Sequence, residues 1–231
     1  MLSLAAVLRA GLRRHATAAA APSTVDGACH LTLPAGLEWP DLKSPLLFVR
    51  HFYAPFYEGA LRQCGRPDIA TNTVLDLAAN RRRIAVSGNP GIGKSAFGWY
   101  VVARLLAEQP DRAIIHSSVK TGTWIFRPLL VGERGFDASA PTHTVERSNE
   151  AAAARHPVAA IGSTVYIADG VVPYLMRAFT LLIVSPTLLD SAKEMLKSFA
   201  TRDVAFPMFS LEEMGALRAV AFPHVTPAVM E

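Results

Sequence analysis

The sequence predicts an α/β fold built on a mostly parallel, doubly wound β-sheet. Three observations support this. The chain has 231 residues, of which 51% are apolar and 18% charged, enough for a sizeable core. A β-branched run at Ile84 leads into a glycine-rich loop and then a helical pattern. Short apolar runs alternate with helical patterns further along the chain. This composition excludes general disorder, and Cys29 and Cys64 lack the spacing of a metal knuckle or disulfide framework.

Residues 1–25 form a basic, Ala-rich leader. Three arginines precede the first acidic residue of the chain: Arg9, Arg13 and Arg14. They carry most of the net charge of +4, so the rest of the chain is nearly neutral and does not support a nucleic-acid partner. The leader has the composition of a mitochondrial presequence, and a leader without a targeting role is the alternative. No stretch reaches the roughly 18 apolar residues of a transmembrane segment.

Residues 26–80 are predicted to be an extended and helical lead-in. The stretch 27–45 is punctuated by three prolines, which favour extended backbone: Pro34, Pro40 and Pro45. From Leu46 onward, aromatic residues recur every four positions and predict a core-facing helix that Pro55 should divide. Base stacking by these aromatic residues is the alternative. A second short helix is predicted at Thr73–Ala79.

The most informative motif is GNPGIGKS, residues 88–95, which follows the strand IAVS and precedes the helix AFGWYVVARLLAE. It satisfies the G-x-x-x-x-G-K-[ST] pattern of a phosphate-binding loop, in the required order of strand, loop and helix. Backbone N–H groups and the helix N-terminus cradle the phosphates, Lys94 contacts the outer phosphates, and Ser95 can bind Mg²⁺. The predicted nucleotide-binding residues are Gly88, Asn89, Pro90, Gly91, Ile92, Gly93, Lys94 and Ser95.

A second acidic element is predicted at Asp169, which ends the strand TVYIAD. At the carboxyl edge of the sheet, its carboxylate would hold Mg²⁺ through water opposite Ser95 and take part in catalysis. The alternative is a turn residue before Gly170. Because a glycine follows, the glutamate with which many ATPases activate water is missing, and slow hydrolysis is expected. No N-K-x-D guanine motif occurs, so ATP is favoured over GTP.

The remaining apolar runs complete the predicted sheet. RAIIHSS, TLLIVSP and VAFPMF are expected to be strands, with helices at ARLLAE and LDSAKEMLKSFA, and TWIFRPLLVGERGF is expected to be a β-hairpin insertion. Ser185 ends the TLLIVS strand and is a second catalytic candidate, facing the terminal phosphate; capping of the next helix is the alternative. Residues 81–222 are thus predicted to be a three-layer P-loop NTPase domain, and 223–231 a tail.

Four blocks resemble the P-loop module shared by Crinkler effectors and retrotransposon hot spot proteins: GNPGIGKS with its aromatic-rich helix, IADGVVP, LLIVSPT and AFPMFSLEEMGALR. LFVRHFYAPFYEGAL looks like the helix these proteins carry upstream, so the resemblance covers about residues 46–222. It implies nucleotide and magnesium roles for Lys94, Ser95 and Asp169, and the family's aspartate is also followed by glycine. Independently, Ser210 and Glu213 fit a helix capping box.

The chain also departs from this family. Members usually continue into a C-terminal helical lid, which is expected to be absent here, and the Crinkler L-F-L-A-K translocation motif is missing. A mitochondrial location and a secreted effector acting in a host nucleus therefore both stay open. We expect an ATP-binding module with weak hydrolysis; a non-hydrolysing switch or scaffold and a small-molecule kinase are the alternatives. A protein partner or self-association is compatible with each of these functions.

Overall fold

The computed structural model describes residues 29–33, 35–62, 83–130, 143–174, 176–186, 188 and 201–221. Within them, nine strands and four α-helices alternate in the order expected of an α/β protein. The strands are β1 Cys29–Thr32, β2 Leu46–Val49, β3 Arg83–Ser87, β4 Ile114–Ser118, β5 Gly122–Pro128, β6 His143–Ser148, β7 Val165–Asp169, β8 Phe179–Ile183 and β9 Thr201–Ala205. The helices are α1 Tyr53–Phe56, α2 Lys94–Glu108, α3 Glu150–Arg155 and α4 Leu211–Ala221. A π-helical turn, Tyr57–Arg62, extends α1, and a 3₁₀ turn, Pro157–Ala160, follows α3.

Seven strands form one mixed sheet in the order β6-β5-β4-β7-β8-β3-β9. The five strands from β4 to β9 in this order are mutually parallel, and β5 and β6 extend the sheet as antiparallel strands at one edge. The α/β class and the mostly parallel sheet are therefore confirmed. Because parallel strands end at the same edge, the residues that follow β3, β4, β7 and β8 share one rim of the sheet.

The two faces of the sheet are covered by different elements. On one face, α2 buries a nearly continuous apolar surface that includes Phe97, Trp99 and Val102. On the other face, α3 and the 3₁₀ turn pack small residues such as Ala153 and Val158 against the sheet. The central strands are buried on both faces, which explains why they read as uninterrupted apolar runs in the sequence. No helix in the described part of the chain is long and apolar enough to cross a membrane.

The lead-in differs from the prediction at its centre. Residues 46–49, predicted to begin a helix, are instead strand β2, which pairs antiparallel with β1. The helical prediction was wrong here because Leu47 and Val49 are buried alternately, at the period of a strand, and Phe52 and Phe56 supply the aromatic contacts of the short helix that follows. Helical structure begins only at Tyr53.

Other predictions have mixed outcomes. The strands RAIIHSS and TLLIVSP and the helix ARLLAE are present, whereas the last strand, β9, ends before the predicted FPMF. The TWIFRP part of the predicted insertion is β5, which pairs antiparallel with β4. Several predicted segments lie outside the described residues: the leader 1–25, the helix Thr73–Ala79, the helix LDSAKEMLKSFA and the tail 223–231.

Candidate functional site

The predicted phosphate-binding loop lies between β3 and α2. Residues 88–93 leave the carboxyl end of β3, and three glycines turn the backbone with positive φ angles: 150° at Gly88, 80° at Gly91 and 87° at Gly93. The first helical hydrogen bond of α2 joins the Phe97 N–H to the Gly93 carbonyl at 2.9 Å. The N–H groups before Phe97 in the first turn thus have no acceptor within the helix, and they form the positive end of its dipole.

Gly93 is required by its surroundings as well as by its backbone. With a φ of 87°, it is the N-terminal cap of α2 in the left-handed region. A Cβ at this position would lie 2.6 Å from the hydroxyl oxygen of Tyr53, too close for any side chain. The same hydroxyl donates a hydrogen bond to the Gly93 carbonyl at 2.5 Å. The lead-in therefore packs directly against the loop that the motif defines.

The loop opens onto a cleft of about 650 Å³ at the carboxyl edge of the sheet. Its walls include most of the residues that the sequence singled out: Pro90, Gly91, Gly93, Lys94, Ser95, Asp169 and Ser185. The Lys94 ammonium donates hydrogen bonds to the carbonyls of Gly88 and Asn89, each at 2.6 Å. Burial lowers the pKa of Lys94, and the nearby Asp169 carboxylate partly offsets that effect. A cation is thus held at the mouth of the loop.

Not every residue of the motif faces the cleft. The Ile92 side chain is buried in the core, where its Cδ1 lies beneath Gly88. Asn89 is exposed, and its side-chain amide lies 3.7 Å from the sulfur of Met208. Ser185 lies in the cleft wall, and its hydroxyl also accepts a hydrogen bond from the Leu188 N–H at 3.4 Å. The geometry is therefore compatible with both roles predicted for Ser185.

Asp169 ends β7 at the cleft and is only 8% exposed. Burial raises the pKa of its carboxyl to about 6, although a hydrogen bond from Ser95 and the charges of Lys120 and Lys94 act in the opposite direction. The negative charge of Asp41 adds to the rise. Ser95 therefore lies near Asp169 in the same cleft, and the charged form of the Asp169 carboxyl is destabilised by burial.

Asp41 is the first residue of the site that the sequence did not single out. It comes from the lead-in, is 8% exposed, and accepts three hydrogen bonds. The donors are the Trp99 indole N–H at 2.7 Å and the hydroxyls of Ser118 and Thr121, each at 2.8 Å. Because Ser118 pairs with Asp169 across the β4–β7 ladder, these contacts bring a second carboxylate to the same rim. An acidic residue between Pro40 and the apolar Leu42 was the only signal available.

His116 is the second residue of the site that was not predicted from the sequence. It lies in β4, is fully buried, and its ring stacks at a tilt on that of Trp99 with 4.3 Å between centroids. Burial lowers its pKa to about 4 despite the opposing charge of Asp41. The imidazole is therefore neutral at ordinary pH. A ligand atom from each of Asp41, His116 and Asp169 lies within 4.8 Å of the other two.

The back of the loop is held by Arg50, which follows β2 and is 1% exposed. Its guanidinium forms a bidentate pair with Glu213 of α4, at 2.7 and 3.1 Å. It also donates to three carbonyls: Ile92 at 2.9 Å, Pro207 at 2.8 Å and Met208 at 2.7 Å. One side chain thus joins the lead-in, the phosphate-binding loop and the segment that leads into α4.

Glu213 completes this arrangement and confirms the predicted capping box. The Glu213 N–H donates to the Ser210 hydroxyl, and the Ser210 N–H donates to the Glu213 carboxylate, both at 3.1 Å. Burial opposes ionisation of Glu213, but the hydrogen bonds from Arg50 and Ser210 and the charges of Arg50 and His51 outweigh it. The pKa of Glu213 is consequently lowered to about 2.

Gly170 follows Asp169 with a φ of 68°, and its N–H donates to the Ile183 carbonyl at 2.8 Å. A Cβ there would lie 3.2 Å from the Val119 side chain. The left-handed backbone and this close approach together explain why a glycine, and not a glutamate, occupies the position.

No family model, curated protein or solved structure matches this chain.

Proposed function

We propose that this protein binds ATP with Mg²⁺ in the cleft beside the phosphate-binding loop and hydrolyses it slowly. The observation that carries the proposal is that Asp169, although far from Lys94 and Ser95 in sequence, lines the same cleft as these two residues next to a helix N-terminus. A loop of this shape, a fixed ammonium and a hydroxyl–carboxylate pair are the elements from which phosphate and magnesium sites are built. The resemblance to the Crinkler and hot spot module points to the same function.

The phosphates would be bound mainly by the loop itself. The positive φ angles of its three glycines allow backbone N–H groups to turn toward a bound phosphate, and the first turn of α2 would add its unpaired N–H groups. Lys94 already lies at the loop mouth, donating to two carbonyls that a phosphate oxygen would replace as its acceptor. This arrangement favours binding because the charges are placed before the ligand arrives.

The donor set fits magnesium. The Ser95 hydroxyl and the Asp169 carboxylate supply oxygen ligands, which Mg²⁺ prefers, and both line the same cleft. Bound Mg²⁺ would bridge phosphate oxygens and offset their charge. A nearby dication also relieves the cost of the buried Asp169 carboxylate, so nucleotide-bound magnesium and this residue stabilise one another.

Slow turnover follows from the residues around Asp169. Gly170 offers no side chain to orient water, and Asp41 already accepts three hydrogen bonds that hold its carboxylate in place. Glu146 is on β6, separated from β7 by two strands, and its partner is His156 at 3.7 Å. With no side chain at Gly170, and with Asp41 and Glu146 engaged elsewhere, the loop and lysine are expected to stabilise ground and transition states nearly alike. The same observation favours a non-hydrolysing switch as the second candidate function.

Calorimetry with Mg·ATP tests the binding proposal. Lys94→Ala removes charge-assisted hydrogen bonds worth about 1.5–3 kcal/mol, so affinity should fall by about 10- to 150-fold while the fold is retained. Arg155→Ala, which removes an exposed cation on the opposite face of the sheet, is the matched control and should bind ATP normally. Equal affinities of Lys94→Ala and the parent chain would refute the proposal.

The fate of radiolabelled ATP separates the candidate functions. Slow release of labelled phosphate supports a weak ATPase, retention of intact ATP supports a switch, and transfer of label to an acceptor supports a kinase. We expect turnover well below the roughly 10 s⁻¹ of a median enzyme. Brisk hydrolysis that Lys94→Ala abolishes would contradict the slow-turnover part of the proposal and leave the binding part intact.

A further inference from the structure

We propose that Asp41, His116 and Asp169 form a binding site for a first-row transition-metal dication, separate from the magnesium position beside Ser95. The three side chains come from the lead-in, β4 and β7, and they are all buried. The site requires no nucleotide, so the inference does not rest on the proposed ATP binding. It shares with it only Asp169, whose carboxylate interacts with Ser95 and also lies within 4.8 Å of a ligand atom of Asp41 and of His116.

The separations suit a metal. The three ligand atoms lie within 4.8 Å of one another. Nitrogen and oxygen ligands bind such metals at about 2.0–2.2 Å, so two ligands on opposite sides of an ion are about 4 Å apart. Bringing the three atoms to bonding distance therefore needs shifts of less than about 1 Å.

His116 provides the observation that points to a ligand. Neither of its ring nitrogens has a hydrogen-bond partner, although the side chain is completely buried. Buried polar atoms without partners are uncommon in folded proteins, because each lost hydrogen bond costs roughly 1–3 kcal/mol. An imidazole that serves only the core would be expected to donate to a carbonyl or carboxylate. A metal bound to one ring nitrogen would supply the partner that this nitrogen lacks, at a position beside two carboxylates.

The charges of the site support the same conclusion. Asp41 and Asp169 are two buried carboxylates within 4.8 Å of each other, an arrangement that is costly unless a cation lies between them. A dication with two carboxylates and a neutral imidazole forms a group of zero net charge. Lys94 and Lys120 also act on Asp169, but a lysine offers no acceptor to the imidazole of His116.

Asp41 is also positioned as a metal ligand should be. Its carboxylate is held by Trp99, Ser118 and Thr121: Oδ1 accepts from both hydroxyls, whereas Oδ2 accepts only the indole N–H and keeps one lone pair for a metal. Supporting hydrogen bonds of this kind orient the ligands in metal sites. Because the site combines one nitrogen with carboxylate oxygens, we expect it to prefer Mn²⁺, Fe²⁺, Co²⁺ or Zn²⁺ to Mg²⁺.

Titration of the full chain with Co²⁺ in the absence of nucleotide tests the site through the visible absorption of the bound ion. The parent chain should bind one equivalent. Asp41→Asn and His116→Gln, which preserve side-chain size closely, should each weaken binding by at least 10-fold. His51→Gln, which removes a histidine whose side chain is 71% exposed, is the matched control and should bind Co²⁺ like the parent. Equal affinity of all four proteins would overturn the proposal, as would the absence of binding to the parent.

Pulsed electron paramagnetic resonance of Mn²⁺ bound to the parent chain requires no variant, so it stays decisive if His116→Gln does not fold. Modulation from an imidazole nitrogen is expected, and its absence would overturn the proposal. Lys94→Ala separates this inference from the proposed function: it should lose ATP affinity and keep the Co²⁺ spectrum. If Lys94→Ala loses the spectrum too, the metal lies at the phosphate-binding loop and the separate site is refuted.

Discussion

The lead-in contributes to two buried charged clusters, one on each side of the phosphate-binding loop, and their charges are balanced in opposite ways. Behind the loop, Arg50 and Glu213 are oppositely charged and richly hydrogen-bonded, and the pKa of Glu213 is lowered to about 2. In front of it, Asp41 and Asp169 carry like charges, and burial raises the pKa of Asp169 to about 6. The rear cluster is therefore most stable in its charged form, and the front cluster is not.

The rear cluster is therefore suited to stabilising the fold, and the front cluster is suited to binding a cation. A satisfied ion pair holds chain segments in place, whereas like charges buried together reduce stability unless a cation joins them. The same short segment, residues 39–53, supplies Asp41 to the front and Arg50 to the rear. The lead-in thus contributes one buried charged residue to each cluster.

Arg50→Leu should produce the largest loss of stability. It leaves the Glu213 carboxylate buried without its partner and removes the donor from three carbonyls. Removing one partner of a buried ion pair costs about 3–5 kcal/mol, measurable as a lower urea midpoint. Glu212→Gln, at an exposed position beside Glu213 on α4, is the control and should change stability by less than about 0.5 kcal/mol. A loss below about 1 kcal/mol for Arg50→Leu would show that the rear cluster does not carry stability.

Much of the front site is local in sequence, which is why it could be predicted. The motif 88–95 and the strand before Asp169 each occupy a few adjacent residues, and their chemistry fixes their place at the carboxyl edge. The rear cluster could not be predicted, because Arg50 and Glu213 are 163 positions apart and only folding joins them. Asp41 and His116 could not be predicted as site residues for the same reason, because only folding brings them close to Asp169. A lone acid or histidine in an apolar stretch is ordinarily a turn or core residue until its neighbours are known.

Asp169→Asn should stabilise the chain in the absence of ligands. The amide keeps the shape of the side chain and removes a charge that burial disfavours. A rise of the pKa from 3.8 to about 6 corresponds to about 3 kcal/mol, so we expect a gain of about 1–3 kcal/mol near neutral pH. The same variant should lose the magnesium dependence of ATP binding. A destabilised Asp169→Asn would mean that the Asp169 charge is compensated in the folded protein.

The stability gained by Asp169→Asn should depend on pH, and this dependence distinguishes the front cluster from the rear one. Below about pH 4, Asp169 is protonated in both the folded and unfolded chain, so the variant and the parent should be equally stable. Between about pH 4 and 6 the unfolded chain ionises first, and the parent loses stability as pH rises. Above about pH 6 the difference should stay constant. Glu213 acts with the opposite sign, since its contribution is lost as pH falls from about 4.5 toward 2. Urea unfolding of both proteins from pH 3.5 to 7.5 measures the difference, and a difference that does not vary with pH would contradict the assignment to Asp169.

Gly170→Ala should have an intermediate effect. The φ of 68° places a side chain in the left-handed region, at a cost of about 1–2 kcal/mol, and the new Cβ would press on Val119. Thermal unfolding measures the loss. Gly215→Ala, a glycine in α4 with nothing within 4 Å of the added Cβ, is the control and should be neutral or slightly stabilising. Equal effects of the two substitutions would show that the turn after β7 tolerates any residue.

Tyr53→Phe should have the smallest effect and tests whether the two clusters are independent. It removes one hydrogen bond to the Gly93 carbonyl, but that carbonyl also accepts the Phe97 N–H at 2.9 Å and is not left unpaired. We therefore expect a loss of about 0.5–1 kcal/mol in chemical unfolding, because the ring keeps its aromatic contacts and only the hydroxyl is removed. Calorimetry should find ATP affinity within about threefold of the parent, since a helix whose first hydrogen bond is intact keeps its N–H groups aimed at the cleft. A drop of tenfold or more with stability unchanged would show that contacts behind the loop set the geometry in front of it, so that the two clusters act as one.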